Sequence, residues 1–327
     1  MLTRDPSRDK NPKRKRLHLP IVQAAPARPE PAPGPAGRRP PWLKTTARFG
    51  PNYRDLKGLM AAGSLNTVCE EAGCPNIYEC WEDREATFLI LGNKCTRRCG
   101  FCDVETSRPD PVDEEEPARI AQTSEAMGLR FLVITGVARD DLPDGGAYIW
   151  AECIRAVRQA VPDCGIEVLP PDFKGHREAI EVVIEAQPDV FAHNLETVRR
   201  LHKRIRTGFE YDRTLDALRI AKELRPGQVT KSNLILGMGE RPEEVPGALR
   251  DLRDADVDLM TIGQYLQPTQ YHLPVDRWVT PEEFVEHART GLDMGFAWVE
   301  SGPLVRSSYH AGQQLERARQ MQALRAD

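Results

Sequence analysis

Three cysteines fall within eight residues in the stretch LGNKCTRRCGFCD (Leu91 to Asp103), spaced Cys95-x3-Cys99-x2-Cys102. They follow an apolar run that reads as a β-strand, ATFLILG (86–92). A structural zinc site closes its shell with four ligands. Three thiolates instead satisfy three irons of a cubane [4Fe–4S] cluster and leave the fourth iron open. An open iron is useful only if a second molecule binds it. A zinc loop and three unrelated thiols are the other readings that the spacing allows.

A second triplet lies upstream in TVCEEAGCPNIYECWED, spaced Cys69-x4-Cys74-x5-Cys80, and it too is one ligand short of a closed site. Six of the eight cysteines therefore sit between residues 69 and 102. In a long chain whose first residues lack the apolar core of a secretory signal, such clustering points to metal rather than disulfides. Asp5 and Asp9 interrupt what would otherwise resemble a mitochondrial presequence, so the cytoplasm is the expected compartment. Cys153 and Cys164 have no partners at ligand spacing and read as buried bystanders.

The elements that must position these thiols alternate. Strand-like runs come at 86–92, 130–137, 165–171, 189–196, 230–239 and 259–268, separated by segments with helical spacing such as AYIWAECIRAVRQAV and YDRTLDALRIAKEL. Strict succession implies right-handed βαβ units and a parallel sheet. We read an α/β chain with a partial (β/α)6 TIM-like barrel and N-terminal and C-terminal extensions. A doubly wound sheet fits the same pattern. In a barrel the cysteine loop would stand at the C-terminal end of the first strand, where such folds build active sites. The acidic run PDPVDEEEP (109–117) should lead into a helix whose N-terminus favours negative charge.

Residues 1–41 hold ten of the 27 prolines and the basic patch KRKR, and they read as a disordered, proline-rich basic tail. The expected divisions are this tail, an extension over 42–84 with the first cysteine set, a barrel over 85–300, and a C-terminal segment and helix over 301–327. A net charge of −4 gives no support for nucleic-acid binding through bulk electrostatics. No run approaches the roughly 18 apolar residues of a membrane span.

The loop resembles the radical S-adenosylmethionine signature C-x3-C-x-aromatic-C, with Phe101 at the aromatic position. The C-x4-C-x5-C set, TRRCGFCDV, RDDLPDGGA, GQYLQP, YHLPV and the R-S-S-Y of SGPLVRSSYHAG (301–312) further resemble the lipoyl synthase family, from about Trp42 to Gly312. The resemblance implies S-adenosyl-L-methionine as cofactor, chelated on the open iron held by Cys95, Cys99 and Cys102. It also implies a second, auxiliary [4Fe–4S] cluster held by Cys69, Cys74, Cys80 and a serine, assigned to Ser308 with Ser307 as second choice. The competing role for these serines is N-capping of the last helix. Arg306 would position the serine or a carboxylate. Gly145 and Gly146 match the family's Gly-Gly-Glu-like contact to the methionine amino group, although Ala147 stands where Glu is usual. Asn194, in HNLE (193–196), and Gly237, in NLILGMGE (233–240), would lie against the cofactor.

The implied reaction is insertion of sulfur at C6 and C8 of an octanoyl chain. The chain would be amide-linked to a lipoyl carrier domain, either a 2-oxoacid dehydrogenase E2 subunit or the glycine cleavage H protein. A ferredoxin or flavodoxin would serve as electron donor. An aliphatic C–H offers no proton that a side chain could remove, so general acid–base catalysis is excluded and a radical route is required. The octanoyl tail is expected at the barrel mouth, between the two clusters.

Overall fold

The computed structural model describes residues 39–44, 50–63, 74 and 76–326. The tail through residue 38 and Cys69 lie outside the described residues.

Among the described residues two α-helices precede the sheet, α1 (Pro51–Gly63) and α2 (Ile77–Glu82). Their contact is aromatic: the Tyr53 ring lies 5.4 Å from that of Trp81, which is fully buried. Strand β1 (Glu85–Ile90) then feeds two short strands, β2 (Lys94–Cys95) and β3 (Glu105–Thr106), which pair with each other in parallel. The acidic run does lead into a helix, α3 (Glu116–Met127), with Pro117 in its first turn and a left-handed Gly128 ending it.

From there strand and helix alternate. They run β4 (Phe131–Gly136), α4 (Ala147–Ala160), β5 (Gly165–Leu169), α5 (Arg177–Glu185) and β6 (Val190–Ala192). Two helices, α6 (Arg199–Ile205) and α7 (Tyr211–Leu224), lead to β7 (Val229–Leu236). The chain closes with α8 (Glu244–Asp254), β8 (Leu259–Gln264), α9 (Pro281–Asp293), β9 (Trp298–Gly302) and α10 (Ala311–Ala326).

The main sheet has seven parallel strands in the order β1-β4-β5-β6-β7-β8-β9, each beside its neighbour in sequence. A doubly wound sheet would reverse order at a switch point, and this one does not. The edges β1 and β9 are not paired, so the sheet is a partial barrel with an open seam. All six strands read from sequence are present. The seventh, Trp298–Gly302, was not anticipated, because WVESG carries just two apolar residues and ends in glycine.

Alternate residues face opposite sides of a strand. Ala86, Phe88 and Ile90 of β1 pack toward the helices with Ile134, Trp150 and Ile154. The inner face carries charge. Lys231 Nζ donates to both carboxylate oxygens of Glu167, at 3.1 and 2.9 Å, and the two side chains are 1% and 0% exposed. Burial pushes the Glu167 carboxyl up, and the Lys231 charge opposes that shift. Removing one partner would leave an uncompensated buried charge, so Lys231→Met is expected to cost about 3–5 kcal/mol. Chemical denaturation measures this, and a loss under about 1 kcal/mol would mean that water relieves the pair.

Helix α10 stops the N-terminal end of the barrel. Its small stripe Ala311, Leu315 and Ala318 packs on Phe131, Val190, Val229 and Leu259, which open β4, β6, β7 and β8. With that end plugged, the C-terminal ends of the strands and the open seam are left to carry function.

Candidate active site

The cysteine loop leaves β1 and is held at several points. Thr96 donates through its amide (3.1 Å) and hydroxyl (2.9 Å) to the Ala138 carbonyl beyond β4. Between the first two cysteines, Arg97 forks onto Asp140 with two bonds of 2.8 Å and reaches Asp172 at 2.6 Å. Its guanidinium also lies over Phe209, 4.2 Å from the ring centroid. Cys99 bridges to Arg206 as an isolated antiparallel pair, and Gly100 donates to the Ile205 carbonyl at 2.7 Å. From the far side His272 Nε2 donates to the Cys102 carbonyl at 3.0 Å. Four loops of the barrel thus fix one short segment.

The thiols suit a metal cluster better than isolation. Cys95 Sγ accepts backbone N–H groups from Ala138 (3.3 Å) and Arg97 (3.4 Å), the kind of bond that tunes cluster thiolates. Burial pushes the Cys99 thiol up to about 12 and Cys102 to about 11, and each also feels the charge of neighbouring cysteines. Such thiols ionise at neutral pH only with a cation beside them, and bound iron is one. Among the described residues no three Cys, His, Asp or Glu side chains are gathered tightly enough to hold a single metal ion. Thiolates that bind separate irons have no need to be so close.

Beside the loop lies a buried polar cluster. Asn194 Nδ2 donates to Glu196 Oε1 at 2.9 Å, Asn233 Nδ2 to Glu196 Oε2 at 3.0 Å, and Thr261 to Asn233 Oδ1 at 2.8 Å. Glu196 sits at φ 68°, a left-handed position for a residue with a side chain. Burial pushes its carboxyl up, and the charge of Arg206 opposes that shift. Asn194 Oδ1 and His193 Nε2 are buried with no partner among the described residues, so this pocket has polar valence left for a ligand. His193 Nδ1 donates to the Pro170 carbonyl at 2.9 Å, and burial, aided by Arg206, lowers the ring to about 3, leaving it neutral.

The glycines divide. Gly145 and Gly146 both have positive φ (64° and 86°) and turn the chain into α4, and Asp144 accepts the Gly146 N–H at 2.9 Å. A Cβ on either would press on Phe173 or Leu91. Gly237 follows β7, where a Cβ would run into Gln264 and the Arg277 carbonyl. Its N–H already donates to Glu240 and its carbonyl already accepts from Asp276, so its backbone groups are engaged. Phe101 is half-buried against the main core. The sequence pattern does not single out Glu196 or Arg206 as site residues, although Glu196 closes the HNLE stretch.

The second set meets at the open seam. Cys74, Cys80, Arg306, Ser308 and Tyr309 line one cavity together with Glu85 and Thr87 of β1. The two chain extensions close the gap that strand pairing leaves open. Burial pushes the Cys74 thiol up, partly opposed by Arg306. Arg306 donates to the Val305 carbonyl at 2.7 Å and, more weakly, to that of Gln264, and burial lowers its pKa, opposed by Cys74 where that thiol is ionised. A half-buried guanidinium with no carboxylate partner among the described residues suits an anionic group, which a thiolate-ligated cluster would be. Helix α10 begins at Ala311, so neither Ser307 nor Ser308 stands at its N-cap. Cys153 and Cys164 are fully buried, and neither lines the seam cavity.

Residues 89–252 match the model of the Radical SAM superfamily, and residues 30–74 that of the N-terminal domain of lipoyl synthase. Among solved structures, the FeFe-hydrogenase maturase HydG from Carboxydothermus hydrogenoformans aligns with TM-score 0.55 at 15% identity, over 81% of this chain and 67% of that one. Methylornithine synthase aligns with TM-score 0.51 at 17% identity, over 74% and 73%. These two establish the fold alone. The partial barrel and its cysteine loop define a radical S-adenosylmethionine enzyme, with a [4Fe–4S] cluster and S-adenosylmethionine as its cofactors.

Lipoyl synthase of Mycobacterium ulcerans is 58% identical over 285 residues, 87% of each chain. That of Kineococcus radiotolerans is 59% identical over 278 residues, 85% of this chain and 83% of that one. The chain belongs to the lipoyl synthase family.

Proposed function

We propose that this sulfurtransferase inserts two sulfur atoms, at C6 and C8, into an octanoyl chain carried on a lysine of a lipoyl carrier domain. The carrying observation is the seam cavity, where two cysteines of one extension face a serine and an arginine of the other. When bound, a cluster on Cys95, Cys99 and Cys102 would supply the electron that cleaves S-adenosylmethionine, and one on Cys69, Cys74, Cys80 and Ser308 would supply the sulfur. A hydroxyl is a harder, weaker ligand for iron than thiolate, which suits an iron that must be released.

The chain's own residues do the remaining work. Phe101, Gly145, Gly146, Asn194 and Gly237 would flank S-adenosylmethionine, with the unpartnered Asn194 Oδ1 offering it a polar contact. Arg306 offsets negative charge in the seam cavity. Plugging by α10 keeps the N-terminal end of the barrel dry, and exclusion of water protects a reactive radical. Strand β1 joins the two sites: from Thr87, at the cavity, to Leu91, at the loop, is about 13 Å along an extended chain. An octanoyl arm spanning that interval would meet both.

The organisation we assign is a tail over 1–41, an extension over 42–84, a barrel over 85–300 and a C-terminal segment over 301–327. The carrier would be an E2 subunit or H protein, the reductant a ferredoxin or flavodoxin, and the compartment the cytoplasm. No helix among the described residues is long and apolar enough to cross a membrane.

Anaerobically reconstituted protein should hold about eight irons and eight sulfides per chain, two cubanes' worth. The deciding experiment is mass spectrometry of an octanoylated carrier peptide after reaction with S-adenosylmethionine and reductant. Product heavier by two sulfur atoms is expected. Cleavage of S-adenosylmethionine without any sulfur-bearing product would reject the proposal.

A further inference from the structure

The seam cavity is closed by two segments more than 220 residues apart in sequence, and two hydrogen bonds tie them. Asn76 Nδ2 donates to the Leu304 carbonyl at 2.8 Å, and the Tyr309 hydroxyl donates to Glu79 Oε2 at 2.8 Å. Their placement brackets the metal-ligating residues. Asn76 and Glu79 stand between Cys74 and Cys80, while Leu304 and Tyr309 flank Arg306 and Ser308. Tyr309 is also gripped from behind: its carbonyl accepts from Gln314 Nε2 of α10 at 2.6 Å, and its ring stacks on His310, centroids 3.8 Å apart. His310 sits at φ 50°, a left-handed turn between the serine segment and α10. Tyr309 is thus the joint through which α10, anchored in the barrel, meets α2.

We infer that Tyr309 and Glu79 form a latch that holds Ser308 at its iron, making both positioning residues for the auxiliary cluster. The inference rests on the assignment of Ser308 and the upstream cysteines to that cluster. A serine is a weak ligand, so its own bond to iron contributes little to holding the segment in place. The phenol–carboxylate bond, charge-assisted, keeps the hydroxyl within reach whether or not it is bonded to iron. Asn76, itself buried, fixes the other end of the segment.

The test uses the full chain carrying both clusters, challenged anaerobically with an iron chelator while released iron and S-adenosylmethionine cleavage are followed. Glu79→Ala is expected to speed loss of one cluster's irons about tenfold, the scale of one hydrogen bond to a charged group. Cleavage of S-adenosylmethionine should stay within about twofold of wild type, since Glu79 is exposed and takes part in none of the bonds described as holding the Cys95 loop. Tyr309→Phe should match Glu79→Ala, and the double variant should be no worse than either, because one bond is lost in all three. Glu79→Gln, which keeps an acceptor, should restore most of the retention. A general structural role would make the two losses additive and would not distinguish Gln from Ala.

Additive losses, or chelation of the single variants at the wild-type rate, would overturn the latch. Wild-type protein holding just one cubane would overturn the auxiliary-cluster assignment itself, and the latch with it. The two failures are told apart by the wild-type iron count.

Discussion

Replacing Cys99 by alanine is expected to abolish reductive cleavage of S-adenosylmethionine. Cys99 is held in place by its neighbours. Its backbone is bridged to Arg206, the next residue is bonded to Ile205, and its thiol is pushed up to about 12 by burial. Nothing nearby replaces it, because the other two thiols of the triplet would serve other irons. Even outer-shell changes at metal sites cost about 10–100-fold, so losing a ligand should cost more than two orders of magnitude. The measurement is 5′-deoxyadenosine formed anaerobically with a chemical reductant, and Cys164→Ala, buried just before β5 starts, is the control. A drop of just a few-fold would mean that this triplet is not the radical-generating site.

The two thiol sites differed in how much the sequence disclosed. The loop was legible because its chemistry is local: three ligands, the aromatic residue and the preceding strand lie in one short stretch. Six strands were legible for a similar reason, each being an apolar run bounded by turn residues. WVESG was not, since β9 gains its place from pairing with β8 and from Val299 packing under α9, not from its own composition. The polar cluster beside the loop escaped notice because it is assembled across strands. Glu196 gains meaning from Asn233 on β7, and Arg206 from its bridge to Cys99, contacts that no spacing rule encodes. Gly237 shows the reverse case. The family resemblance of NLILGMGE suggested a cofactor contact there, and what the fold adds is a packing reason for glycine, since a Cβ would run into Gln264.

The seam has a physical logic visible in three dimensions alone. A seven-stranded sheet too small to close leaves β1 and β9 unpaired with each other, and an open edge invites association. Here both flanks of the gap are covered by chain that carries the side chains proposed to hold the auxiliary cluster. The extensions that the sequence set apart from the barrel are in this sense part of its wall. Their contribution to the fold and their proposed contribution to chemistry come from the same residues.

That coincidence makes Cys74→Ala informative. The variant is expected to keep S-adenosylmethionine cleavage measurable while stopping sulfur insertion, and to fall from about eight irons to about four. The separation follows from the architecture. Cys74 lines the seam cavity with Arg306 and Ser308, whereas the Cys95 loop is braced by Arg97, Asp140, Asp172 and Arg206, none of which lines that cavity. Losing one ligand at the seam should therefore leave the loop's supports untouched. Parallel assays of 5′-deoxyadenosine and of carrier-peptide mass read the two halves separately. Lipoyl product from Cys74→Ala at anything near the wild-type yield would mean that sulfur comes from somewhere other than the seam, however well the cavity fits a cluster.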